Sequence, residues 1–133
     1  MFKLTLVTPQ KRLLSEVEVE EIIVPADRGE LNILPGHAPL MTTLRAGIFR
    51  ARLKGETEFK SAAISWGYCE VSPTGVSVLA DTAEWPDEIS KERATQQYQL
   101  AQSRLQDAGL TPDEYVMAQN KSLKELARLS VVK

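Results

Sequence analysis

His37 and Cys69 are each alone of their kind in the 133 residues, and this decides most of the available chemistry. A single cysteine cannot close an intramolecular disulfide, which fits a reducing compartment. One histidine and one cysteine do not form the ligand cluster that a zinc or other transition-metal site needs. A Ser–His–acid or Cys–His nucleophile would have to draw on His37, on Cys69 or on a serine in no catalytic spacing. His37, with a reference pKa of about 6.5, reads first as a hydrogen-bonded structural residue and second as a pH switch. Cys69 reads as a small buried core residue rather than a reactive thiol. No catalytic residue, metal or cofactor is expected from these types and spacings.

The charge balance narrows the classes further. Sixteen Lys and Arg face eighteen Asp and Glu, so there is no electrostatic footprint for nucleic acid or for an anionic membrane surface. The longest stretch without a formal charge, Leu31 to Leu44, has 14 residues and contains Pro35, Gly36 and Pro39. It is too short and too broken to span a bilayer. The segment from Met1 to Pro9 reads as a first strand rather than a signal peptide, so the chain is expected to stay where it is made. Hydrophobic residues at 43% and charged residues at 26% suit a folded protein.

The elements that must position any functional group divide near Pro86. Six of seven prolines and six of seven glycines lie in residues 1–86. Turn residues at short intervals predict a β sandwich or barrel there, and strong helix formers beyond it predict helices. Phe2, Leu4 and Leu6 alternate with Lys3 and Thr5, Val17 and Val19 with Glu16, Glu18 and Glu20, and Phe49, Ala51 and Leu53 with Arg50, Arg52 and Lys54. The Arg50, Arg52 and Lys54 side reads as a solvated strand face. Ser72-Pro73-Thr74-Gly75 reads as a turn. Eight to ten short strands are expected, paired antiparallel because short connections cannot cross between parallel strands.

Two helices follow. Ser90 is the N-cap candidate for the first, with Asp87 as a competitor. Ala94, Tyr98, Ala101, Leu105 and Ala108 form one stripe, and Gly109 ends the helix. Thr111-Pro112-Asp113-Glu114 carries an N-cap, a proline at the first helical position and the acid of a capping box. The second helix runs toward Leu129, with Lys121, Lys124, Arg128 and Lys133 at its favourable C-terminal end. A short connection makes the pair antiparallel. The second helix offers Tyr115, Val116, Met117, Leu123, Leu126 and Leu129 as its larger apolar residues. The hairpin is too short and polar to be very stable alone and needs a partner surface. Trp85-Pro86, at the composition break, is expected to pin the hinge.

Several blocks carry a family resemblance. Gly29-Glu30-Leu31-Asn32-Ile33-Leu34-Pro35-Gly36-His37-Ala38-Pro39-Leu40-Met41-Thr42 with Leu44 and Gly47, then Gly67-Tyr68-Cys69-Glu70-Val71, then Val76 to Glu84, resemble the epsilon subunits of bacterial and chloroplast F-type ATP synthases. The mitochondrial counterpart is similar but carries a transit peptide; none is read here, which points to bacteria and leaves chloroplast synthesis open. The resemblance implies a mainly β plus α fold: a flattened antiparallel β sandwich of about ten strands over residues 1–86, then an antiparallel two-helix hairpin over 87–133. It implies a non-catalytic rotor subunit of the central stalk, coupling ion-driven c-ring rotation to ATP synthesis, with a hairpin that extends along the gamma subunit and inhibits ATP hydrolysis. The implied partners are gamma, the ring of c subunits, and the alpha and beta subunits through the extended hairpin. The implied place is peripheral, on the cytoplasmic face of the bacterial inner membrane or the stromal face of the thylakoid, reached only through the complex.

Residue by residue, the resemblance places Glu30 and Leu31 at the c ring, and Leu34, Pro35, His37, Pro39 and Leu40 at gamma. Some bacterial members bind ATP through Ile or Leu, Asp, two variable residues, Arg and Ala. Here the stretch is Ile89-Ser90-Lys91-Glu92-Arg93-Ala94, so Arg93 and Ala94 match while Ser90 brings no carboxylate. ATP would then be a regulatory ligand and not a cofactor. Two readings from other classes stay open on residues alone. One is a β-sandwich ligand-binding or adaptor module whose hairpin recruits an unrelated partner; the other is a small hydrolase using a serine, His37 and an acid.

Overall fold

Alternating apolar residues build seven strands in the computed structural model, which describes residues 1–132. They are β1 (Phe2–Val7), β2 (Arg12–Ala26), β3 (Gly29–Ile33), β4 (Leu40–Leu44), β5 (Gly47–Leu53), β6 (Lys60–Ser72) and β7 (Gly75–Glu84). A single 3-10 turn at Pro86–Glu88 leads to α1 (Lys91–Leu105) and α2 (Pro112–Val131). Lys133, the last of the basic residues assigned to the helix end, lies outside the described residues.

Hydrogen bonding runs round a closed circuit, β1 to β2 to β5 to β6 to β7 and back to β1, with β3 on β2 and β4 on β6. Closure flattens into a sandwich whose interior holds Leu4, Leu6, Val19, Ile22, Val24, Ile33, Phe49, Ile64, Cys69 and Val78, all at most 1% exposed. Burial of this set is the main source of sandwich stability, because each large side chain contributes about 1.5–3 kcal/mol.

Seven strands stand where about ten were expected because two long strands each do the work of several. β2 carries Glu16 at φ 49 and β6 carries Trp66 at φ 40. At Trp66 the inward positions change from Ala62 and Ile64 to Cys69 and Val71. The half of β6 before it pairs with β5, and the half after it with β4. Each irregularity bends the strand and moves its side-chain alternation by one, so one continuous strand serves both layers. Gly67, at φ 150, is the point of closest approach: a Cβ there would lie 1.8 Å from the carbonyl oxygen of Leu79.

The pairing is also not uniformly antiparallel. β1 runs parallel to β7, Leu4 opposite Val76 and Leu6 opposite Val78. The length argument fails for this pair because the connection is the whole intervening sandwich, long enough for any crossover.

The helix starts follow their caps. The hydroxyl of Ser90 accepts the Arg93 amide at 3.2 Å. Thr111 and Glu114 satisfy each other's amides at 3.2 Å in a reciprocal capping box. The first helix ends at Leu105, one turn before Gly109, so Ala108 is exposed and outside it. Asp107 instead accepts the Gly109 amide at 2.9 Å and turns the chain early. The hairpin meets the sandwich through α2: Ala127 and Val131 bury against Ala63, with Ile48, Ile89 and Val132 at the edge. Trp85 is half-buried against the main core, and Lys60 Nζ lies 4.9 Å from its ring centre. Among the described residues no helix is long and apolar enough to cross a membrane.

Candidate interfaces and the hairpin cleft

The sequence-assigned residues fall into three places. The first is the tip formed by β2 and β3, where Ala26 pairs with Gly29 across an exposed Asp27-Arg28 turn. Glu30 is exposed there and accepts from Arg50 Nη1 at 3.1 Å. Leu31 pairs with Val24 and packs against the main core, so half of this assigned pair supports the fold. Glu30, Leu31 and Leu40 share one shallow depression of about 320 Å³.

The second place is the loop between β3 and β4. The His37 amide donates to the Leu34 carbonyl at 3.1 Å, with Pro35 and Gly36 between them and Gly36 at φ 83. That is a type II turn: proline sets the first central φ and glycine supplies the positive second one. The turn holds Leu34 50% exposed, beside exposed Pro35, Pro39 and Leu40. Leu34, His37 and Pro39 line a groove of about 330 Å³ closed by Met1, Phe2 and Pro73. His37 Nδ1 meets the Ala38 carbonyl oxygen at 2.7 Å, which leaves the ring bound to its own loop and touching neither a serine nor an acid. The hydrolase reading has no geometry here. Cys69 is fully buried, and desolvation pushes its thiol pKa up to about 12, so it is inert at neutral pH.

The third place is a cleft of about 290 Å³ between the end of β7, the 3-10 turn and the hairpin. Arg93 and Ala94 both line it, but differently: Arg93 is exposed and Ala94 is 3% exposed, part of the helix contact. Ser90 spends its hydroxyl on the helix cap. The cleft's cations are Arg93, Lys121 and Arg128, and its anions Glu84, Glu88 and Glu125. Arg128 is engaged by Glu84 and Glu125, each at 2.6 Å. Three cations face three carboxylates, so the cleft has no excess positive charge for a polyphosphate.

Two features escaped the sequence reading. The Arg50, Arg52 and Lys54 face is not free: Arg50 pairs with Glu30, Arg52 with Glu20 and Glu21 at 2.8 and 3.3 Å, and Lys54 with Glu18 at 3.4 Å. The acids of β2 and β3 neutralise the bases of β5. The periodic charge on both segments was visible, but which segments pair was not. Apolar exposure lies elsewhere. On the β4, β6 and β7 surface Met41 is 61%, Tyr68 41% and Leu79 37% exposed, with Thr43 opposite Tyr68 and Tyr68 opposite Leu79.

The hairpin's burial is also inverted. α2 buries Ala118, Ser122, Glu125, Ala127 and Val131. It leaves Tyr115 47%, Val116 50%, Met117 70%, Leu123 38% and Leu126 45% exposed. At about 100° per residue, Tyr115, Val116, Leu123 and Leu126 fall within one arc of about 100°. The docked hairpin therefore hides its small and polar side and presents an apolar stripe. Residue types alone named these side chains as the ones needing a partner; only the packing shows that the sandwich is not that partner.

Known proteins agree with this architecture. A family model described as the ATP synthase delta/epsilon chain, beta-sandwich domain, matches residues 1–86. The ATP synthase epsilon chain of Bdellovibrio bacteriovorus is 48% identical over 113 residues, covering 85% of this chain and 81% of that one. An ATP synthase epsilon chain of Syntrophotalea carbinolica is 39% identical over 129 residues, covering 97% and 91%. Among solved structures, a chain of the Euglena gracilis mitochondrial ATP synthase superposes with TM-score 0.83 at 23% identity, covering 97% of this chain and 79% of that one. A chain of the Tetrahymena thermophila mitochondrial ATP synthase central stalk and c ring superposes with TM-score 0.68 at 13% identity, covering 99% and 96%. At those identities the two structures speak for the fold. The sandwich match over 1–86, the identity to bacterial chains and the sandwich-then-hairpin order together establish that this chain belongs to the ATP synthase delta/epsilon chain family.

Proposed function

We propose that the protein is the non-catalytic rotor subunit of a bacterial F-type ATP synthase, coupling ion-driven c-ring rotation to ATP synthesis, and that its hairpin restrains ATP hydrolysis. Residues 1–86 act as the domain seated on the rotor and residues 87–133 as the movable domain. The observation that carries the regulatory part is the inverted burial of α2. A helix that keeps Tyr115, Val116, Leu123 and Leu126 in water while docked has a second docked state available in which they are covered. Two states whose burial gains are split between them lie close enough in free energy for binding to move the population.

The exposed Leu34, Pro35, Pro39 and Leu40, with the partly buried His37, form the contact with gamma. A turn whose exposed residues are apolar and uncharged suits a permanent subunit contact, since charged residues are depleted at interface cores. Glu30 and Leu31 meet the c ring, with Glu30 exposed beside the Asp27-Arg28 turn and free to exchange Arg50 for a polar partner. Alpha and beta receive the extended hairpin. The protein stays peripheral, at the cytoplasmic face of the membrane, and reaches the bilayer through the c ring; a thylakoid setting would place it on the stromal face.

The test is a chain ending after Pro86. It should fold, because its core is complete without the hairpin, and co-purify with gamma and the c ring. The complex should hydrolyse ATP faster than one carrying the full chain. A truncated chain that assembles and leaves hydrolysis unchanged refutes the regulatory reading, and failure of the full chain to co-purify with gamma refutes the rotor assignment.

A further inference from the structure

Glu125 is the one charged side chain that is fully buried among the described residues, with 1% exposure. Two cations of its own helix meet the carboxylate, Arg128 Nη1 at 2.6 Å and Lys121 Nζ at 3.3 Å. Arg128 turns its Nε to Glu84 of β7, 2.6 Å away. Among the described residues this is the only side-chain hydrogen bond or ion pair from α1 or α2 to the sandwich. The rest of that contact is small and apolar, Ala127 and Val131 on Ala63 and Ile48. Alanine contacts remove little apolar area from water, so the dry part of the seat is weak.

A buried carboxylate loses its hydration, and a buried ion pair is often no more stabilising than apolar groups of the same volume. Removing one partner is a different matter, because it leaves an uncompensated charge in a dry place. We propose that the Glu84–Arg128–Glu125 chain is a releasable latch. It sets where α2 sits, and it keeps the docked state easy to leave because Glu84 and Arg128, the two charges joined across the contact, regain water when α2 lifts. This rests on the reading that the hairpin leaves the sandwich, and adds what sets the ease of leaving.

The latch makes opposite predictions for breaking it and for replacing it. Arg128→Ala strands Glu84 and leaves the buried Glu125 only its longer contact with Lys121 at 3.3 Å, so α2 lifts more often. The triple variant Glu84→Leu, Glu125→Leu, Arg128→Met removes every charge of the chain and lets apolar side chains fill the seat, so α2 lifts less often. Native-state hydrogen exchange on the full chain reads both. Arg128→Ala should speed exchange of the α2 amides by at least about tenfold while β6 and β7 amides keep their protection, which also shows that the sandwich is folded. The triple variant should slow α2 exchange below that of the unaltered chain. Unchanged α2 exchange in Arg128→Ala, or faster exchange in the triple variant, overturns the latch. In the assembled enzyme Arg128→Ala should lower ATP hydrolysis and the triple variant should raise it. Exchange that moves as expected with hydrolysis unmoved upholds the latch and counts against the inhibitory reading alone.

Discussion

Replacing Val116 and Leu126 together by glutamine separates the two states of the hairpin. Val116 is 50% and Leu126 45% exposed in the docked form, both on the apolar arc of α2. Full burial of such a side chain is worth about 2 kcal/mol, so roughly half of that, about 1 kcal/mol each, is still to be gained when a partner covers them. The pair together contribute about 2 kcal/mol more to the extended state than to the docked one, where the methylenes of glutamine keep the contacts already made. At about 1.4 kcal/mol per factor of ten, the double variant lowers the ratio of extended to docked hairpins about thirtyfold. Glutamine is a good helix former, so α2 itself is not weakened. Two assays check this. Urea unfolding of the isolated chain should change by no more than about 0.5 kcal/mol, as for surface substitutions. ATP hydrolysis by the assembled enzyme should rise toward that of the enzyme carrying the chain truncated after Pro86. A loss above about 1 kcal/mol in the isolated chain means these side chains already pack in the docked state. Unchanged hydrolysis in an enzyme that truncation activates means the arc is not the surface that inhibits. Either result refutes the reasoning.

Other perturbations test the fold and the cleft. Gly67→Ala places a Cβ 1.8 Å from the Leu79 carbonyl oxygen at a φ of 150; the sandwich should lose more than about 3 kcal/mol or fail to fold, and a variant of native stability in thermal unfolding would show that β6 and β7 can separate there. The Thr111 amide and hydroxyl hold the Glu114 carboxyl below its ordinary value of 4.5. A lowered folded value means the capping contribution is complete above about pH 4.5 and is lost as pH falls through the folded value. Circular dichroism should therefore show hairpin helix lost with acid, and Glu114→Gln, which keeps the cap without a titrating group, should remove that component. Calorimetric titration of the isolated chain with ATP should give no saturable binding below the millimolar range, since the cleft's charges balance; saturable micromolar binding would show that Arg93 and Lys121 suffice without an aspartate at position 90.

The alternatives raised by residue types end differently. His37 is held by its own loop and Cys69 is dry, so the nucleophile reading has no assembled group to use. The adaptor reading survives only in the sense that the molecule is a binding module, whose relatives are ATP synthase chains.

What the sequence determined by itself is the set of local choices. Strand alternation, the Ser72 to Gly75 turn, the Ser90 cap and the Thr111–Glu114 capping box all depend on residues within four positions of one another, and all stand in the structure. The blocks around His37 and Cys69 also carried the family. Tertiary structure alone decided what lies opposite what. It placed β1 parallel to β7, set the acids of β2 and β3 against the bases of β5, and let β2 and β6 bend through Glu16 and Trp66. It turned Glu125 inward and Leu126 outward. Those outcomes rest on pairings far apart along the chain, chosen by closure of the whole sheet and by which surface reached α2. A spacing of three or four residues marks a helix face but carries no information about which face the rest of the molecule will cover.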